Sequence, residues 1–331
     1  MTENSGLNEA MKDEVLNSVK PSPLQNIWLG IPPSIRGLIR TMRPKQWAKN
    51  GFVFAGIVFD RQLGDSEAVM RVLLAFAMFS LMASGVYLMN DLVDIERDRL
   101  HPKKKNRPLP SGQLPLGIAK VAAVCLLAIS LGVSVIVSPP LAAVLLGYAG
   151  LQVAYSFVLK NMVILDVFSI AAGFVLRTIA GIVVIDVTNF SPWLYVCAGL
   201  LSLFLAIGKR RQELILLQND SGGSDAAQVR DTFKGYNLPL LDDLLRMVVT
   251  AVAIAYTLYA TEAETILVRV DTEFMLLTVP VVYYALFRYL YVIHRLNKGG
   301  DPTEVLFEDQ PLQLSIAVWV AMVVVLLYVV G

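Results

Sequence analysis

Residues 68–90 carry a single charged side chain, Arg71, and apolar runs like this one recur to the end of the chain. A stretch of about 20 such residues is what an α-helix needs to cross the hydrocarbon core of a bilayer. The whole composition agrees: across 331 residues, 56% are hydrophobic and 17% charged, too apolar for an ordinary soluble domain. The sequence therefore predicts an all-α polytopic membrane protein of about nine spans. A weak first span is expected near 48–59, and the others near 68–90, 116–137, 140–159, 162–185, 192–208, 239–261, 273–293 and 311–330.

The segments between the spans set the orientation. Residues 1–33 are polar and broken by Pro21, Pro23, Pro32 and Pro33, and read as a mobile tail without the apolar core of a signal peptide. From residue 34 to 331 the chain reads as one membrane domain. It begins with an interfacial helix and basic motif over 34–50, where Ile35, Leu38, Ile39 and Met42 share a face and Trp47 suits the headgroup level. If the tail lies on one side, that side also collects Arg97, Arg99, Lys104, Lys105, Arg107, Lys160, Lys209, Arg210 and Arg211. By the positive-inside rule it is the cytoplasm, and nine spans then put the C-terminus outside. Every candidate motif then opens to the cytoplasm.

The stretch NDLVDIERD, Asn90 to Asp98, stands where an apolar helix leaves the membrane on that side. On a continuous helix Asn90, Asp94 and Asp98 are spaced i, i+4, i+8, and Asp91 falls on the same face. Three close carboxylates repel one another unless a cation lies between them. Oxygen ligands without His or Cys favour a hard ion such as Mg²⁺, shared with phosphate oxygens. Lys104 and Arg107, just downstream, could grip the same polyphosphate. A solvated helix end followed by a positive-inside anchor is the plainer reading of the same residues. Cys125 and Cys197 lie in apolar runs and only two histidines exist, so neither a disulfide framework nor a His-based site is indicated.

Other polar groups fall at the same membrane face. Tyr155 and Lys160 close the fourth span, and Lys209, Arg210 and Arg211 close the sixth. Each cation has an alternative role, snorkelling to the headgroups or stopping translocation. Asp166 and Arg177 lie eleven residues apart inside the fifth span, about 16 Å along a helix. They are therefore too far apart to pair, which favours a polar cavity. Arg288, Tyr289, Asp301 and Glu304 add polar groups nearby.

NDLVDIERD followed by HPKKKNRPLPSG resembles the first aspartate-rich signature of the UbiA superfamily of intramembrane prenyltransferases, a resemblance that covers nearly the whole chain from Ile35. RPKQWAKN, YSFVLK, GFVLRTIAG and GKRRQEL are similar more narrowly to its decaprenyl-phosphate phosphoribosyltransferase branch. The resemblance implies a UbiA-type bundle with a cytoplasm-facing active-site cavity. It also implies transfer of phosphoribose from phosphoribosyl pyrophosphate to a polyprenyl phosphate, feeding arabinose donors for the cell envelope. Asn90, Asp91, Asp94 and Asp98 become the catalytic set, the three aspartates as ligands of Mg²⁺. Lys45, Lys49, Asn50, Lys104, Arg107, Tyr155, Lys160, Arg177, Lys209 and Arg210 become substrate-binding residues. Aromatic prenyltransferases of the superfamily carry a second aspartate-rich motif at the end of the sixth span; here that place reads Gly208, Lys209, Arg210, Arg211, Gln212, Glu213. Cations there suit a phosphate without its own metal.

Two other readings remain open at this point. One is a prenyltransferase moving an isoprenoid from its diphosphate to an aromatic or other small acceptor. The other is a transporter of a phosphorylated solute, against which stands the clustering of charge at one face rather than at midplane. The expected partners are phosphoribosyl pyrophosphate, a polyprenyl phosphate lipid and the bilayer, with a homo-oligomer left open and no nucleic acid.

Overall fold

Seven helices among the described residues are long and apolar enough to cross a membrane. The computed structural model describes residues 30–100, 104–185, 187, 192–220, 235–262, 272–295 and 302–330, and no strand occurs among them. Most of the expected tail, with Asp301 and the Glu304 side chain, lies outside the described residues. Helix α1 (Pro33–Met42) and α2 (Ala55–Phe59) flank a 3₁₀ segment, Pro44–Phe54. The long helices follow: α3 (Ser66–Val93), then after the short α4 (Ile95–Leu100) come α5 (Leu116–Val137), α6 (Pro139–Phe157), α7 (Leu165–Ile182) and α8 (Pro192–Asp220). Helices α9 (Leu238–Glu262), α10 (Val279–Arg295), α11 (Pro302–Glu308) and α12 (Gln310–Val325) complete the bundle.

Starts are marked by side-chain caps. Asp65 accepts from the Glu67 and Ala68 amides to open α3, Ser138 caps α6 ahead of Pro139, and Asp309 caps α12 by accepting from Leu312. At 28 residues α3 is about 42 Å long, more than the hydrocarbon core needs, so an end bearing Asn90 and Asp91 can sit among headgroups. Val72, Phe79, Met82, Leu145 and Tyr148 fill one half of the interior; Phe204, Ile207, Leu241, Leu245 and Val292 fill the other. Apolar side chains such as Val121, Ile136, Met247 and Leu314 face outward, as lipid contact allows.

The expected first span is not a regular α-helix. Over Pro44–Phe54 the chain takes 3₁₀ geometry and turns α-helical only at Ala55. It runs antiparallel to α3 through three ties: Arg43 to Asp91, Trp47 to Ser84 and Asn50 to Ser80. Seven residues on one strand of this pairing match eleven on α3. At about 2.0 Å per 3₁₀ residue the seven cover roughly 14 Å, close to the ~16 Å of α3 they follow; an α-helix would cover only ~10 Å. With Ala55–Phe59 added, sixteen residues reach about 30 Å if straight, a full hydrocarbon thickness. Trp47 is thereby a helix-packing donor rather than a simple headgroup anchor. The approach is close because Gly181 faces it: a Cβ there would lie 1.8 Å from the Val53 carbonyl oxygen.

Helix α9 runs 25 residues and is not among the seven; Asp242, Asp243 and Arg246 occupy its first turns. Seven of the nine expected spans therefore correspond to qualifying helices among the described residues, and those expected near 48–59 and 239–261 do not.

Candidate functional site

Helix α3 ends at Val93, and Asp94 caps it with φ −89° and ψ 5° before α4 begins. The single carboxylate face expected of one continuous helix is therefore broken. Asp94 turns to the water side, 42% exposed in its side chain and 3.8 Å from Arg97. Asp91 and Asp98 turn inward, to 5% and 1% exposure. Arg107 joins them, its Nη1 lying 3.5 Å from Asp91 Oδ1 and 2.8 Å from Asp98 Oδ2. Lys104 Nζ stands 3.6 Å from Asp98.

Asp91 has a further partner that sequence reasoning missed. Arg43 donates to its Oδ1 at 2.6 Å and stacks over Tyr87 at 4.9 Å. Arg43 also has φ 54° and ψ 59°, a left-handed conformation unusual for a residue with a Cβ. The signal was the Arg-Pro pair: a residue before proline is driven out of the helical region, so α1 had to end there and turn its last arginine inward.

The opposite half of the site is built by α6, α7 and α8. Asn90 Oδ1 accepts from Ser156 Oγ at 3.1 Å, tying the end of α3 to the end of α6. Next to Ser156, Tyr155 shares a hydrogen bond with Arg210. Arg210 is 1% exposed, 2.7 Å from Asp166 Oδ2 and 2.5 Å from Glu213. The other oxygen of Asp166 accepts from Tyr236 Oη at 2.7 Å, and Tyr236 in turn accepts from the Ile164 amide at 2.6 Å. That last contact steadies Ile164 at φ 72°, a costly conformation for a β-branched residue. Burial, with the bond to Asp166, pushes the Tyr236 phenol above its ordinary range.

Other expected site residues take different places. Asn50 is 1% exposed and bonds Ser80 and Arg177, well inside the membrane from Asp91. Arg177 also donates to the Gly173 carbonyl and to Tyr148, and lies over the rings of Phe79, Tyr148 and Phe174. Asp166 and Arg177 thus do not pair, as their spacing required, but each is occupied by protein groups instead of lining one open cavity. Arg211 bonds Asp242, which also meets His294, and Arg288 forms a forked pair with Asp309. Lys209 is 4.0 Å from Glu213 and 30% exposed. Lys160 sits half-buried in the turn after α6, Lys49 is half-buried, and Lys45 is exposed.

No group of three or more His, Cys, Asp or Glu side chains among the described residues is placed to hold a metal ion by itself. Asp91 and Asp98 fit a narrower role, since Mg²⁺ is commonly held by one or two carboxylates with the rest of its shell from phosphate and water.

The model for the UbiA prenyltransferase family matches residues 51–307. Decaprenyl-phosphate phosphoribosyltransferase of Corynebacterium glutamicum is 34% identical over 297 residues, covering 88% of this chain and 87% of that protein. The protein of the same description from Mycobacterium tuberculosis is 32% identical over 302 residues, covering 88% and 95%. In fold, a UbiA homolog from Archaeoglobus fulgidus bound to GPP and Mg²⁺ superposes with a TM-score of 0.63 at 18% identity, over 88% of this chain and all of that one.

Proposed function

This chain belongs to the UbiA prenyltransferase family and is an integral membrane transferase, and on that premise we propose that it moves 5-phosphoribose from phosphoribosyl pyrophosphate to a polyprenyl phosphate, releasing pyrophosphate. The observation that carries this reading is the asymmetry of the site. One half gathers the buried Asp91 and Asp98 beneath Arg43, Lys104 and Arg107; the other, partway along α8, which runs on past the expected span end to Asp220, presents Lys209, and no second group of acids able to hold a metal occurs there among the described residues. One half suits a metal-bound pyrophosphate and the other a phosphate without a metal. The names of the relatives, alike over most of the chain, support the same assignment.

Asp91 and Asp98 would hold Mg²⁺, which when bound offsets the charge of the departing pyrophosphate; Asp94, expected to be a third ligand, stands to the side against Arg97. Asn90, its carbonyl oxygen taken by Ser156, has N–H groups to offer a phosphate oxygen. Arg43 and Arg107 add forked donors, and Lys104 a point charge. Lys209, with Lys160 and Tyr155 close to the end of α6, would receive the acceptor phosphate. That phosphate is already anionic, so attack on the anomeric carbon requires no strong base, and positioning with electrostatics supplies the acceleration. A cytosolic donor supports a site that faces the cytoplasm from a bacterial inner membrane, with the C-terminus outside and the product feeding arabinose donors of the envelope.

The test offers purified protein labelled phosphoribosyl pyrophosphate and a prenyl diphosphate together, with polyprenyl phosphate and a phenolic acid as acceptors, with and without Mg²⁺. A ribosylated lipid formed only with Mg²⁺ is the expected product; a prenylated phenol alone would overturn the reading. For sidedness, Ser111→Cys in a background lacking Cys125 and Cys197 should react with an impermeant thiol reagent from the cytoplasmic face only.

A further inference from the structure

We propose that the acidic pair takes a divalent cation only as its complex with a diphosphate, because Arg43, Lys104 and Arg107 already occupy the carboxylates. The inference rests on the metal-bound pyrophosphate of the proposed function and adds the order in which the ligands enter. Arg43 and Arg107 share Asp91 Oδ1, and Arg107 and Lys104 share Asp98. Three cations against two carboxylates leave the cluster one charge positive, while Asp94 and Arg97 balance each other to the side.

The layering is as informative as the count. The carboxylate side chains are 6% and 2% exposed, whereas Arg43, Arg107 and Lys104 are 33%, 37% and 41% exposed. A ligand arriving from water meets the cations first. A free divalent ion would approach a positive layer, and to reach the carboxylates it would have to strip two guanidinium groups of their anions. Losing a buried partner is unfavourable for a charge that gains nothing in return. With only two inward carboxylates, and no third Asp, Glu, His or Cys placed to join them among the described residues, the chain offers the ion little in exchange. A diphosphate changes both sides of the balance. Its oxygens complete the metal's shell and at the same time receive Arg43, Lys104 and Arg107, so carboxylates pass to the metal as the cations pass to phosphate. The three basic residues thus determine which form of the metal is admitted.

The probe is Mn²⁺, followed by electron paramagnetic resonance and equilibrium dialysis on the full-length protein in nanodiscs, with inorganic pyrophosphate added or withheld. Little protein-bound Mn²⁺ is expected without pyrophosphate, and uptake at least about ten-fold tighter with it, a coupling that must appear reciprocally in pyrophosphate affinity. Arg107→Gln, and independently Arg43→Gln, should bind Mn²⁺ alone more tightly than the wild type and lose most of the coupling. Wild-type protein that takes up Mn²⁺ equally well without pyrophosphate overturns the inference and leaves the proposed function standing. The inference also falls if folded protein of both variants still excludes free Mn²⁺, since the cations are then not what keeps it out. Absence of Mn²⁺ uptake under every condition overturns the inference together with the metal-dependent part of the proposed function.

Discussion

Arg210 lies 2.7 Å from Asp166, and the two side chains are 1% and 0% exposed. A charge pair sealed to that degree contributes through geometry: deleting one member strands the other, at a cost of about 3–5 kcal/mol. Arg210→Gln and Asp166→Asn should each lower the thermal unfolding midpoint in detergent by many degrees. The double variant Arg210→Met, Asp166→Leu should recover part of the loss, because neither fully buried charge is then left alone, although Glu213 loses its cation and Tyr236 its acceptor. Single variants that unfold with the wild type would show that the pair holds nothing together.

Lys209, one residue earlier, presents the opposite case. It is 30% exposed where Arg210 is 1% exposed, so a phosphate arriving from water can reach Lys209 and not Arg210. Lys209→Ala should preserve stability and Mg²⁺ dependence but reduce phosphoribosyl transfer. The loss of a charge-assisted contact is about 1.5–3 kcal/mol, or roughly ten- to two-hundred-fold in kcat/KM for the lipid acceptor. Lys209→Asp should be worse, adding repulsion to lost attraction. Unchanged acceptor kinetics in Lys209→Ala would remove this residue from the site.

The three aspartates should separate function from stability. Asp91→Asn and Asp98→Asn are each expected to abolish nearly all turnover, whereas Asp94→Asn, outside the inward pair, should retain much of it. Their folds should respond differently. Asp94 meets Arg97 only at 3.8 Å in the open, where a pair contributes about 0–1 kcal/mol, so Asp94→Asn should unfold with the wild type. Asp98 is buried against Arg107 and Lys104, and Asp98→Asn should unfold measurably earlier. Thermal scans beside turnover assays decide it, and full activity in Asp91→Asn would take the acidic pair out of the mechanism.

What the sequence disclosed and what it withheld follow from the range of the interactions. Long spans such as Ser66–Val93 and Leu116–Val137 were legible because twenty apolar residues in a row have one inexpensive arrangement in lipid. The end of α3 was legible as a site because its charges are consecutive. The break at Asp94 was not, since nothing in VDIER forbids a continuing helix. Arg43 was hidden because its partner is 48 residues away. The partner of Arg210, Asp166, is likewise fixed by how α7 packs on α8, so a local run of three cations looked uniform although its members meet three different environments. The 3₁₀ geometry of the first passage is not legible, because such a segment has no apolar period of 3.6 to announce it.

That first passage gives the remaining prediction. A Cβ on Gly181 would stand 1.8 Å from the Val53 carbonyl oxygen and 2.7 Å from its carbon, and both atoms belong to backbone with no rotamer to yield. Gly181→Ala must therefore push the 3₁₀ segment off α7. The displaced segment carries Asn50, whose bonds to Ser80 and Arg177 anchor it, and begins beside Arg43, whose guanidinium holds Asp91. A methyl group deep in the membrane should thus disturb the acidic pair from a distance. The expected result is a lower unfolding midpoint together with weaker pyrophosphate binding. Enlarging Gly147, where an added Cβ meets nothing within 4 Å, should leave both unchanged. If Gly181→Ala folds and binds pyrophosphate like the wild type, the close packing of the first passage does not position Arg43.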